Sequence, residues 1–131
     1  MKIEERALVK RFLNHVKTVV SLHGHGRNDN CAYVGGLHQS MAQRFVELAL
    51  PALPHYEWIS DPDLIPPGIR GQSPNNVVNL PAAKGMQLEL PRKLRQTKLA
   101  SDGKGFEPTG DALVLSWLLI ELVDMLKDES S

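Results

Sequence analysis

Two short segments hold side chains able to do chemistry. In Val19-Val20-Ser21-Leu22-His23-Gly24-His25-Gly26, an apolar, β-branched run ends in imidazoles set among glycines. Far downstream, Gly85-Met86-Gln87-Leu88-Glu89-Leu90 places one carboxylate inside an otherwise apolar run. Each reads as a buried strand carrying a polar group that a core strand normally avoids. A buried carboxylate is costly unless it is paired, hydrogen-bonded or near a metal. Imidazole is a good zinc ligand, and bound zinc lowers the pKa of its water toward neutrality. A nearby carboxylate then takes the proton and passes it to a leaving amine. His23 and Glu89 together therefore suggest half of a metal-hydrolase site.

The elements that must position them follow from periodicity. Ala7, Leu8, Phe12, Leu13 and Val16 recur at helical spacing, so residues 4–16 are expected to form an amphipathic helix. Thr18 to Leu22 is expected to be a short strand buried on both faces, as in a parallel sheet. The loop from His23 to Asn30 then lies at a strand's C-terminal end, where open α/β sheets place their chemistry. Ala32 to Val34 is a second candidate strand ending at Gly35-Gly36, and a helix follows from Leu37 until Pro51 and Pro54 stop it. Tyr56 to Ile59 is a third candidate strand. Residues 60–83 are rich in Pro, Gly, Asn and Asp; a loop of that length is usually functional or mobile. Lys84 to Leu90 is the clearest strand, and Pro91 opens a short helical turn through Arg95 or Gln96. Residues 97–107 read as a polar loop. Thr109 is the expected cap of a last helix over 110–127, apolar around much of its circumference, and so deeply buried or covered by a second chain. This order implies an α/β fold: residues 1–131 as a single domain, with a mixed sheet flanked by helices.

The chain has 131 residues, enough for one domain with a real core. Lys+Arg and Asp+Glu are both 15, so no global basic field favours a nucleic-acid partner. Lys84, Arg92, Lys93, Arg95 and Lys98 do cluster locally, either as a solvated face or as a site for a small anionic substrate. The single cysteine, Cys31, excludes an intrachain disulfide. No signal peptide is legible, and Ala112 to Ile120 is too short to span a bilayer. A cytoplasmic location with no membrane partner is the expectation.

Four segments resemble the poly-γ-glutamate hydrolase family, a zinc-dependent group known from bacteriophages and related to the metallocarboxypeptidases. They are Ser21-Leu22-His23-Gly24, Tyr33-Val34-Gly35-Gly36-Leu37, Pro74-Asn75-Asn76-Val77-Val78-Asn79, and Gly85 to Pro91 followed by Leu94-Arg95, in the family's order. The resemblance is strongest over residues 17–96. It implies zinc as cofactor, His23 as a zinc ligand and Glu89 as the general base. It also implies that Arg92, Arg95 and Asn76 bind substrate, a γ-linked glutamyl polymer or peptide. The family draws its first two zinc ligands from an N-terminal His-Gly-Gly-x-x-Glu segment that this chain does not show. The resemblance therefore implies a metallocarboxypeptidase-like core lacking its N-terminal part.

Three readings of that departure stand side by side: a C-terminal piece of a longer protein, a family member that kept the fold and lost the metal, or recruitment of other ligands from His25, Asp29, His38 and His55. The expected function is zinc-dependent hydrolysis of a γ-glutamyl amide bond, incomplete in this chain because two ligands are absent. The rival is a non-catalytic interaction protein on the same fold, a homodimer through the C-terminal helix.

Overall fold

The strand at Gly85–Leu90 alternates polar and apolar residues, so one of its faces must lie on a core. In the computed structural model, which describes residues 3–130, it sits in the middle of the main sheet. In chain order the elements are α1 (Ile3–His15), β1 (Val19–Gly24), β2 (Cys31–Gly35), α2 (Gln39–Ala52), β3 (Glu57–Ile59), β4 (Gly85–Leu90), β5 (Thr97–Leu99), β6 (Phe106–Pro108) and α3 (Gly110–Ser130). The first four strands form a sheet in spatial order β1-β4-β2-β3. β4 runs parallel to β1 and antiparallel to β2, and β3 runs parallel to β2. This is the expected α/β architecture with a mixed sheet.

Met86, Leu88 and Leu90 of β4, with Ala32 and Val34 of β2, form one face. Met41, Phe45 and Ala49 of α2 and Leu115, Leu118 and Leu122 of α3 cover it. Burying each large apolar side chain there stabilises the fold by about 1.5–3 kcal/mol. Phe45 meets Trp58 edge to face, with ring centroids 5.6 Å apart.

The opposite face carries Tyr33, Gln87 and Glu89, all buried. Its cover is the long segment between β3 and β4, which folds into three short 3-10 turns at Pro62–Leu64, Pro67–Ile69 and Val77–Asn79. Asn79 ties this roof down. Its amide donates to the carbonyls of Gly71 (2.6 Å) and Ser73 (2.9 Å), and its oxygen accepts from the backbone N–H of Leu37 (2.9 Å).

Four expectations need correction. β1 is not buried on both faces: it is the edge strand, paired only with β4, and Leu22 is exposed. Residues 97–107 are not a plain loop, because β5 and β6 pair as an antiparallel hairpin. These strands have three residues each and are almost wholly exposed, so no apolar alternation marks them. Among the described side chains of α1 only Leu13 is buried, while Leu8 and Phe12 face solvent. α3 is not deeply buried within this chain: Leu115, Leu118 and Leu122 meet the core, and Trp117, Ile120 and Val123 are exposed.

Candidate functional site

β1 and β4 lie parallel and in register, with Ser21 beside Gln87 and His23 beside Glu89. Across β4, Tyr33 of β2 pairs with the same Glu89. Laterally paired residues share a sheet face, so His23, Glu89 and Tyr33 form one row near the C-terminal ends of β1 and β4. His23 and Glu89 line one open cleft of about 420 Å³, walled by Gly24, His25, Gly26 and Arg27 on one side and by Pro66, Gly68 and Ile69 of the roof on the other.

Glu89 is only 6% exposed. Burial pushes its carboxyl above the usual glutamate range, and the imidazoles of His23 and His25 oppose that rise. A carboxylate of raised basicity facing a cleft is better suited to accept a proton than an ordinary glutamate. Gln87 orients it, donating from Nε2 to Glu89 Oε1 at 3.3 Å. Asn76 in turn donates to Gln87 Oε1 at 3.3 Å, and its own oxygen accepts from the N–H of Val78. Asn76 is thus engaged at both ends of its amide and acts on Glu89 through Gln87.

The structure separates the remaining candidates. Arg92 and Arg95 do not line the Glu89 cleft; they line a neighbouring one beyond the His25–Arg27 turn. Arg95 lies against Gly24, with Nε donating to the Leu90 carbonyl (3.1 Å) and Nη2 to the His25 carbonyl (3.4 Å). The cation lining the Glu89 cleft is Arg27, which the sequence pattern does not single out because it sits in an irregular loop. Gln87 was legible. Gly85, Gln87 and Glu89 alternate with Met86, Leu88 and Leu90 without a break, a two-residue period that marks one polar and one apolar face.

Zinc does not fit the residues present. A catalytic zinc takes three protein ligands. Among the described residues, no group of three or more His, Cys, Asp or Glu side chains is placed to hold a metal. Of the four alternative ligands, His25, His38 and Asp29 are otherwise engaged, and His55 is exposed and belongs to no such group among the described residues. His25 is buried with Nε2 2.7 Å from the Cys31 carbonyl, and its Nδ1 accepts from the Arg27 N–H at 3.2 Å. Both ring nitrogens of His25 are therefore in use. His38 caps α2, its Nδ1 accepting from the Met41 N–H. Asp29 accepts from the Cys31 N–H and from Arg27. Burial raises the Cys31 thiol pKa, which disfavours its thiolate.

The fold is α/β, and its open cleft at the C-terminal ends of two parallel strands, with a buried carboxylate beside an imidazole, lies where open α/β sheets place ligand sites. The chain belongs to the poly-gamma-glutamate hydrolase family, whose sequence profile matches residues 4–105. Among solved structures it resembles a bacteriophage poly-gamma-glutamate hydrolase, with a TM-score of 0.72 and 18% identity over 95% of this chain and 60% of that one. It also resembles a zinc-free apo form of YNDL, with a TM-score of 0.67 and 20% identity over 89% of this chain and 58% of that one. This chain thus spans about three-fifths of the length of either structure. Comparison with curated proteins gives no significant match.

Proposed function

We propose that this chain carries the proton-transfer half of an amide-hydrolase site for γ-glutamyl bonds, with Glu89 as the general base. The observation that supports it is a buried carboxylate of raised pKa, held by Gln87 and open to a cleft. Membership of the family supplies the substrate class. Arg27 in that cleft, with Arg92 and Arg95 beyond it, offers charge-assisted hydrogen bonds to substrate carboxylates. His23 is the imidazole this chain offers to a zinc ion, and one imidazole does not retain it. The half-site is therefore incomplete as a zinc hydrolase.

The test is cleavage of poly-γ-glutamate by the purified 131-residue chain, with and without added zinc. Little or no cleavage is expected, and any residual cleavage should vanish in Glu89→Gln. Robust zinc-dependent cleavage would overturn the incompleteness; cleavage unchanged in Glu89→Gln would overturn the role of Glu89.

A second reading, a non-catalytic interaction protein on the same fold, draws on α3. Trp117, Ile120 and Val123 are exposed along it, at 62%, 60% and 44%. A stable dimer by sedimentation, with no bound zinc and no turnover, favours that reading.

A further inference from the structure

β1 is the outer strand of the main sheet, and among the described residues no strand lies beyond it. The hydrogen bonds at its two ends show which backbone groups are left over. The His25 N–H donates to the Leu90 carbonyl, and the Lys17 carbonyl accepts from the Ala83 N–H, both on the β4 side. Peptide groups alternate in direction along a strand, so Val19, Ser21 and His23 bond inward, while Val20 and Leu22 turn their N–H and C=O outward. Proteins blunt such an edge with charge, proline or a bulge. Val19–Gly24 holds no Asp, Glu, Lys, Arg or Pro, and its register with β4 is unbroken. The apolar surface of α3 leans the same way. From the core-facing Leu115, Leu118 and Leu122 it continues through Leu119 and Val123 to Ile120 and Leu113. Leu119 borders Leu22 in a hollow of about 240 Å³, and Val123 borders Val20 in another of about 570 Å³. Trp117, Ile120, Val123 and Leu113 of α3, with Leu22 at 53% exposure, offer roughly 500 Å² of bare apolar surface. With the strand backbone added, this approaches the ~800 Å² per partner of a stable interface.

We propose that this face takes a second copy of the chain, with the two β1 strands pairing antiparallel about a twofold axis at Ser21 and the two α3 helices meeting over the join. An axis perpendicular to the sheet keeps Val20 and Leu22 of both copies on the helical face. Val20 of each copy then stands opposite Leu22 of the other, and their outward N–H and C=O groups satisfy one another. Because Val19–Gly24 carries no acidic side chain and no Lys or Arg, the symmetry sets no such charge against its like there. The contact is self-complementary and closed, so it stops at two copies. The same register sets Val19 of the second copy beside His23, and the join thereby walls the outer side of the His23–Glu89 row. The pairing rests on the exposed α3 face of the second reading, adds the strand edge to it, and holds whether or not the chain turns over substrate.

The experiment is sedimentation of the full chain at concentrations up to about 100 μM, with residue-resolved amide exchange on concentrated and diluted protein. A dimer is expected. In it the Val20 and Leu22 N–H groups should exchange more slowly than in the dilute monomer, while those of Ser21 and His23, already bonded to β4, are protected in both. Leu22→Lys on the edge and Ile120→Lys on α3 should each weaken the dimer at least about tenfold. Both side chains are exposed, and thermal melts check that each variant is folded, with Leu22→Gln and Ile120→Gln as substitutes. A monomer throughout overturns the pairing, and so do species larger than a dimer that grow with concentration. A dimer indifferent to Leu22→Lys, with the Val20 and Leu22 amides still exchanging freely, overturns the strand join and leaves a dimer through α3 alone. Failure of the second reading appears differently: a dimer with protected Val20 and Leu22 amides that cleaves poly-γ-glutamate.

Discussion

Glu89 shows how a side chain fit for proton transfer burdens the fold that holds it. Its carboxyl sits above the ordinary glutamate range because it is buried. In acid, below the ordinary range, folded and unfolded chains both keep the proton and nothing is lost. As pH rises through the ordinary value the unfolded chain releases its proton first, and stability falls until the folded-state pKa is passed. Glu89→Gln, which keeps an oxygen for Gln87, should therefore melt higher than wild type at neutral pH. The difference should close as pH drops below the ordinary glutamate range; an equal gain at all pH values would show that burial of charge is not its cause. Asn79 is the opposite case, a buried polar group with every partner satisfied. Asn79→Ala leaves the Gly71 carbonyl and the Leu37 N–H without these partners, while the Ser73 carbonyl keeps the Asn76 N–H, and should lose about 2 kcal/mol in chemical denaturation. His23 and Glu89 were legible from their chemistry alone. Arg27 and Asn79 were not, because a loop residue's partners depend on a path that no periodicity encodes.

The strands carry the site through register, and register was the part of the sequence most open to misreading. The polar residues of β4 fall on the face away from α2 and α3, yet they are buried, because the segment between β3 and β4 folds back over them. Polarity in a strand predicts which face it takes; whether that face meets water depends on a loop with no pattern of its own. The β5–β6 hairpin escaped notice for a related reason. Its Lys98–Glu107 ion pair, at 3.4 Å, is exposed and contributes little, and its side chains bury almost nothing. Lys98→Ala should change stability by no more than about 0.5 kcal/mol. The turn after β2 is a more demanding element. Gly36 has φ +95°, its N–H donates to the Arg70 carbonyl, and a Cβ there would press on the Gly85 carbonyl at the start of β4. Gly36→Ala combines left-handed strain with that clash. It should destabilise by more than about 1 kcal/mol, well beyond Lys98→Ala in the same melts.

At the scale of the whole molecule, helices pack one face of the sheet and an irregular roof packs the other, leaving the strand ends open between roof and loop. The helical face supplies rigidity, and the roof supplies Gln87 with polar partners and walls the cleft at Glu89. The α/β class was legible because the apolar residues of α2 and β4 repeat at the spacing of their elements and α3 is a long, broadly apolar run behind its cap. The position of β1 was not, since its apolar run is equally consistent with a central strand. Among the described residues β1 ends the sheet, so His23 stands exposed with Glu89 on its inner side and no described strand beyond it. An imidazole in that position brings one ligand to a metal that takes three, and His25 and His38 are held by backbone groups elsewhere. The purified chain dialysed against zinc should therefore retain far less than one equivalent by elemental analysis, and its melting temperature should be the same in zinc and in chelator. His23→Ala should leave both results unchanged. Stoichiometric zinc lost in His23→Ala would mean that this imidazole recruits partners the folded chain does not present.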